Sequence, residues 1–144
     1  MSTTLYAHVE VKLDGAWHHF SAHAIHKNYL LCAAINGTRA DDLKPGRAIP
    51  KPVRGTRGIP ADATALTKAC IAREVSPNPR NACALDAAQI AAVQDELYRV
   101  RPEVERTGID EFDFEHSIFH TYVNGNSIAS GGGFEDVRMI CAFG

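Results

Sequence analysis

The sequence predicts an α+β fold: a small antiparallel sheet, built from an N-terminal hairpin and a C-terminal strand, with three to four helices. Residues 6–12 alternate apolar and polar side chains, which is typical of a half-buried strand. Asp14-Gly15 is a two-residue hairpin turn signal, and residues 16–20 can return as the second strand. The apolar run 137–143 predicts the closing strand.

Three segments between these strands have helical patterns. Residues 27–36 form an apolar run that Gly37 can cap, and a second, short helix is predicted over 61–73. The third begins at Asp86, because Gln89 three residues later completes a capping box. Its buried stripe is predicted to consist of Ile90, Val93, Leu97 and Val100, and Pro102 is expected to end it.

Composition limits the classes of protein to which the chain can belong. Its 144 residues, 45% hydrophobic with a net charge of −2, predict a single domain over 1–144 without the basic field that holds duplex DNA. No apolar run is long enough for a membrane span, and the first residues lack the features of a signal peptide, which predicts a cytoplasmic location. The four cysteines form no CxxC pair, so buried thiols are expected rather than zinc ligands or disulfides.

The segment 38–60 is rich in proline, glycine and basic residues and is predicted to be an irregular loop. Around Arg57-Gly58-Ile59-Pro60 it combines residues suited to phosphate: glycine permits close approach of the backbone, and arginine donates bidentate hydrogen bonds. A solvated surface loop of the same composition is the alternative. Neither a Walker pattern nor a dinucleotide-binding glycine motif is present to decide between them.

Histidines and cysteines offer weaker candidates for chemistry. A fourth, short helix is suggested by Phe112, Ile118, Phe119 and Tyr122. His116 and His120 lie four residues apart on it, as a metal site requires, and His18, His19, His23 and His26 cluster near the start of the chain. No HExxH motif accompanies them, so scattered surface or half-buried histidines are the favoured interpretation. Cys32 and Cys141 are expected in the core, and Cys83 in a loop without a nearby histidine.

The final strand carries Asp136 and Arg138 two residues apart, which places both side chains on one face of the strand. The carboxylate could orient the guanidinium for binding a ligand, or both side chains could lie on an exposed strand face. The pair offers no nucleophile.

Several segments, in order along most of the chain, resemble a family of small phage-encoded proteins. These are the hairpin HVEVKLDGAWHHF, the run from Asn28 to Arg39, the Arg57-Gly58-Ile59-Pro60 turn and the closing Asp136-Val137-Arg138 strand. They are similar to the family's hairpin, its DY-x-LFA-x-x-x-G-x-R helix, its PRGLP turn and its DVR strand. The chain departs from the family at residues 78–83, where many relatives have DGHSHSW.

The family is identified with, or as close to, the Thoeris anti-defence sponge proteins. The resemblance implies a cytoplasmic protein of the infected bacterium that sequesters cyclic ADP-ribose isomers, and in some members also cyclic oligonucleotides of CBASS immunity, without cleaving them or needing a cofactor. It implies assembly into a dimer or a higher oligomer such as a hexamer, with pockets at subunit interfaces. The residues it assigns to the ligand are Arg39 and Arg57 at the phosphates, Gly58 beside Arg57, Phe134 stacked on a base, Asp136 at a ribose hydroxyl or orienting Arg138, and Arg138 as a principal contact.

Two other functions remain open from the residues alone. An inhibitor of a host defence complex, like an anti-CRISPR protein, could act through the basic loop or the acidic segment 103–115. A metal-dependent phosphoesterase would use His116 and His120.

Overall fold

A computed structural model of the chain describes residues 3–26, 29–42, 49–75, 82–106 and 134–144, with the side chains of residues 42 and 101–106 left out. Two long strands, β1 (Thr4–Leu13) and β2 (Ala16–His26), precede helix α1 (Tyr29–Asn36) and a 3₁₀ turn over Ala40–Asp42. The order then runs β3 (Thr56–Arg57), α2 (Ala65–Glu74), β4 (Ala82–Asp86), α3 (Ala87–Arg106) and β5 (Asp136–Phe143).

The strands form one five-stranded antiparallel sheet in the order β2-β1-β5-β4-β3. β5, the last strand in the sequence, therefore lies at the centre, with Leu5 of β1 opposite Phe143 on one side and Ala82 of β4 opposite Ala142 on the other. The predicted α+β class, hairpin and C-terminal strand are confirmed. Two further strands, β3 and β4, extend the sheet beyond the predicted hairpin and C-terminal strand.

Helices cover both faces of the sheet. On the first face, alternate residues of the strands, such as Val9, Leu85 and Met139, pack with α1 and α3 in the main hydrophobic core. The four residues of the predicted stripe of α3, Ile90, Val93, Leu97 and Val100, are all buried there. On the second face, Ile71 of α2 packs with Ile140 and Ala142 of β5 in a smaller cluster. The polar side chains of β1 face α2, and they form the networks described below.

Turns and caps follow the predicted signals closely. Asp14 and Gly15 both have positive φ, 52° and 77°. These are the angles of the two-residue hairpin turn whose backbone twist matches that of the flanking strands. Gly37 closes α1 with φ of 83° and donates its N–H to the carbonyl of Ala33 at 3.0 Å. At the start of α3, the N–H of Gln89 donates to Oδ1 of Asp86 at 2.8 Å, and the N–H of Asp86 donates to Oε1 of Gln89 at 3.0 Å.

Three expectations about individual residues need comment. Helix α3 continues through Pro102 to Arg106, so the predicted stop was wrong: proline has a helical φ, and the hydrogen bond that it removes, at a cost of about 3 kcal/mol, lies near the end of a helix whose buried stripe is retained. Cys32 and Cys141 are buried as predicted, but Cys83 lies in β4 directly opposite Cys141 and not in a loop. His116, His120 and most of the acidic segment lie outside the described residues.

None of the described helices has the length and apolar character needed to cross a membrane.

Candidate ligand-binding site

A cavity of about 310 Å³ opens where β2, β3, β5 and the start of α3 meet. Its floor is formed by Ala84 and Leu85 of β4. The polar and aromatic side chains around it are Trp17, Arg57, Asp86, Gln89, Asp136 and Arg138. The basic loop and the last strand, which are about eighty residues apart in the sequence, thus contribute to one cavity.

Arg138 is held by two carboxylates and a ring. Its Nε and Nη2 donate to Oε1 of Glu10 at 2.9 and 2.7 Å, and its Nη1 donates to Oδ1 of Asp62 at 2.8 Å. The guanidinium carbon also lies 4.0 Å from the centroid of the Trp17 ring, which is a cation–π contact. The arginine side chain is only 11% exposed. Arg138 is therefore preorganised, and its charge is already offset by Glu10 and Asp62.

Glu10 anchors this network beneath helix α2. Its side chain is fully buried, and its Oε2 accepts the N–H of Thr64 at 2.9 Å and the hydroxyl of Thr67 at 2.7 Å. Burial raises the pKa of Glu10, but the hydrogen bonds from Thr67, Thr64 and Arg138 outweigh it and hold the pKa below its usual value. The carboxylate is therefore ionised at neutral pH, as a partner of Arg138 must be.

Asp136 lines the cavity but does not orient Arg138 in the way that the sequence suggested. Oδ1 of Asp136 accepts the backbone N–H of Val137 at 2.8 Å. The carboxylates that hold Arg138 come from β1 and from the loop before α2, and local sequence around the last strand gave no sign of them. Asp136 is exposed at the rim of the cavity, where its carboxylate faces solvent.

The other predicted site residues divide into two groups. Arg57 is exposed on β3, and Gly58 follows it with φ of 86° and donates its N–H to the carbonyl of Ala82 at 2.8 Å, so the glycine shapes the turn that presents the arginine. Arg39 and Phe134 do not belong to the cavity lining. The guanidinium of Arg39 lies 4.5 Å from the centroid of the Tyr29 ring, and Phe134 packs edge-to-face against Phe20.

A second cavity, of about 220 Å³, lies on the other side of Arg57. Its remaining lining consists of Asn36, Thr38, Arg54, Gly55, Ala82 and Cys83. Gly55 permits this geometry, because a Cβ at that position would lie 2.2 Å from the carbonyl oxygen of Ala84. The loop thus lies directly on β4, and Arg57 separates the two cavities.

A second polar network lies between β1, β2 and α2. His8 is fully buried; its Nε2 lies 2.7 Å from Oε1 of Glu74 and its Nδ1 lies 3.3 Å from Nε2 of His19. Burial lowers the pKa of His19, and the adjacent His8 imidazole lowers it further. The sequence pattern gave no sign of His8 and Glu10, because polar residues that alternate along a strand are expected to face water; in the structure helix α2 covers them. Glu74, at the end of α2, was missed because nothing in the local sequence links it to β1.

Metal binding has no support in the described part of the chain, where no three histidine, cysteine or carboxylate side chains are grouped so as to hold an ion. Two of the buried thiols are unsuited to nucleophilic catalysis: burial raises the pKa of Cys32 to about 12, and contact with Cys83 together with burial raises the pKa of Cys141 well above its usual range. Comparison of the chain with family models, curated proteins and solved structures gave no match.

Proposed function

We propose that this protein binds and sequesters a cyclic nucleotide signal, of the cyclic ADP-ribose or cyclic oligonucleotide type, without cleaving it. One observation carries the proposal: Arg57, Asp136 and Arg138, which the sequence resemblance assigns to the ligand, line the same cavity although they come from distant parts of the chain. Small-molecule sites combine a concave, partly apolar surface with a few converging polar groups, as this cavity does.

The lining supports a nucleotide by its chemistry. Arg57 is exposed and can donate bidentate hydrogen bonds to a phosphate. The carboxylates of Asp86 and Asp136 can accept hydrogen bonds from ribose hydroxyls. Trp17 offers an apolar aromatic surface beside them, fixed in place by its contact with Arg138.

Sequestration without cleavage is supported by the composition of the same lining. Neither a histidine nor a cysteine is among the side chains that line the first cavity in the described part of the chain. Its one hydroxyl belongs to Thr56, on a strand without a histidine beside it. The groups present can hold a phosphodiester, and they lack the paired base and nucleophile that would attack it.

Self-association forms part of the proposal. The volume of about 310 Å³ is at the small end for ligand cavities, which range from about 300 to 1,000 Å³. A second copy of the chain, placed against the open side, would enclose more of a cyclic nucleotide. Light scattering coupled to gel filtration, with and without ligand, measures whether a dimer or a larger assembly forms.

The decisive experiment combines calorimetry with recovery of the ligand. Purified protein is titrated with cyclic ADP-ribose isomers and with cyclic di- and trinucleotides, and the bound ligand is then released by heating and identified by mass spectrometry. We expect binding of at least one of these compounds and its recovery intact. A hydrolysed product would overturn the proposal in favour of a phosphoesterase, and absence of binding by all of them would favour a protein target in the host.

The structure shows which variants make this experiment clear. Arg57→Ala removes an exposed guanidinium, so folding is preserved and we expect affinity to fall about tenfold or more, as loss of a charge-assisted contact of about 1.5–3 kcal/mol implies. Arg73→Ala, on the exposed side of α2, is the matched control that loses the same charge. Arg138→Ala is a poor test by itself, because it also leaves the buried Glu10 carboxylate without its partner.

A further inference from the structure

We propose that the second cavity, between Arg54 and Arg57, is an oxyanion subsite that takes a phosphate or pyrophosphate group. The inference rests on the proposed function only in that the anion would belong to the same ligand. The subsite itself is argued from its own charge, backbone and hydrogen bonds.

The charge of the two cavities differs in sign. In the first cavity two carboxylates, those of Asp86 and Asp136, stand against Arg57, and the charge of Arg138 is offset by Glu10 and Asp62. The second cavity is lined by two arginines, Arg54 and Arg57, and its described lining includes no carboxylate. An anion is therefore attracted to the second cavity more strongly than to the first.

Arg54 is presented by a constrained backbone. It has a φ of 55°, in the left-handed region, and its N–H donates to the carbonyl of Ile35 at 2.8 Å. The preceding N–H of Val53 donates to the carbonyl of Ala34 at 2.9 Å, so two consecutive bonds attach this segment to the end of α1. A side chain that starts from a fixed backbone loses less conformational freedom on binding, which favours a preorganised site.

Asn36 adds neutral donors to the two cations. Its Oδ1 accepts hydrogen bonds from both the backbone N–H and the hydroxyl of Thr38. The oxygen end of the amide is thereby committed to Thr38, and the NH₂ end carries the donors that an anion would use. Asn36 thus supplies a donor next to the two guanidinium groups, in the same lining.

Arg57 connects the two cavities, because it lines both. A ligand with a phosphate beside a nucleoside can therefore place the phosphate between Arg54 and Arg57 and the nucleoside against Trp17. The resemblance assigns the phosphate to Arg39 and Arg57. Because Arg54 lines the cavity that Arg57 shares and Arg39 does not, we assign the phosphate to Arg54 in place of Arg39.

The test uses pyrophosphate alone as the probe, titrated into the full chain by calorimetry at low ionic strength. We expect Arg54→Gln to weaken pyrophosphate binding about tenfold or more. Arg54→Lys should recover part of the loss, because it keeps the charge without the bidentate geometry. Arg73→Gln, at an exposed position outside both cavity linings, controls for net charge and should not weaken pyrophosphate binding. Thermal melting without ligand establishes that each variant is folded.

Three results would overturn the inference: no heat of binding with pyrophosphate up to millimolar concentration, equal affinity in Arg54→Gln, or the same loss in Arg73→Gln. The proposed function fails independently of it. If pyrophosphate binds in an Arg54-dependent manner but no cyclic nucleotide binds, the subsite is retained and the sponge function is lost. If cyclic nucleotides bind and Arg54→Gln leaves their affinity and that of pyrophosphate unchanged, the sponge function is retained and the subsite is lost.

Discussion

Replacing Glu10 with glutamine tests the network that holds Arg138 in the cavity. Both carboxylate oxygens accept hydrogen bonds, Oε1 from Arg138 and Oε2 from Thr64 and Thr67. Glutamine has one oxygen and one NH₂ group, so whichever way its amide turns, a donor faces another donor. The change also removes the negative charge that neutralises an arginine side chain only 11% exposed.

The expected cost follows from this geometry. Breaking a buried ion pair by removing one partner costs about 3–5 kcal/mol. Asp62, whose Oδ1 lies 2.8 Å from Nη1 of Arg138 and whose side chain is 67% exposed, is retained in the variant and keeps part of the charge balanced. We therefore expect a loss of about 3 kcal/mol, which with a urea dependence of about 2 kcal/mol per molar lowers the unfolding midpoint by about 1.5 M.

The assay is urea unfolding followed by circular dichroism at pH 7, with Asp62→Asn as the control. Asp62→Asn should shift the midpoint much less, because that side chain is exposed and gains little from the pair. A loss below about 1 kcal/mol for Glu10→Gln would refute the reasoning, since that is the range of a solvated surface pair.

Three further predictions concern stability. Gly55→Ala should destabilise the fold by about 1–3 kcal/mol in urea unfolding, because the new Cβ would lie 2.2 Å from the carbonyl oxygen of Ala84; an unchanged midpoint would mean that the loop is not packed on β4. Asp86→Ala removes the N-cap of α3 and should cost about 1 kcal/mol, whereas Asp86→Asn, which keeps the acceptor, should cost less. The pKa of His19 is lowered in the folded chain, so the unfolded chain takes up the proton first and stability should fall as pH drops through the usual histidine range near 6.5. His19→Gln should flatten melting temperature between pH 7 and 5, and the same change at the exposed His18 should not.

Local signals predicted the elements with strong periodicity or caps. The Asp14-Gly15 turn, the Gly37 cap and the Asp86–Gln89 capping box were all found at the predicted residues, because each depends on contacts within a few positions. β4 was missed: its residues, Ala82 to Leu85, are all buried, so they show neither alternation nor an apolar stripe. β3 has only two residues and owes its pairing to β4.

The candidate site could be predicted only in part, for a related reason. Arg57, Asp136 and Arg138 were identified from their residue types and the resemblance, and the structure places them around one cavity. Glu10 and Asp62, which position Arg138, come from segments far away in sequence, and nothing local links them to it. Arg54 and Arg39 are both arginines of the basic loop, so residue type does not distinguish them. Only the structure does, because Arg54 lines the second cavity and Arg39 lies over the Tyr29 ring.

The central position of β5 has a consequence for how the protein is made. During synthesis the β1–β2 hairpin emerges first, but its inner edge must wait for a strand that is translated more than a hundred residues later. Until then β1 and β4 have no direct link, and each exposes an unpaired edge to other nascent chains. Pairing over such long separations slows folding, so we expect a protein that becomes compact late and whose yield depends on chaperones that shield the waiting strands.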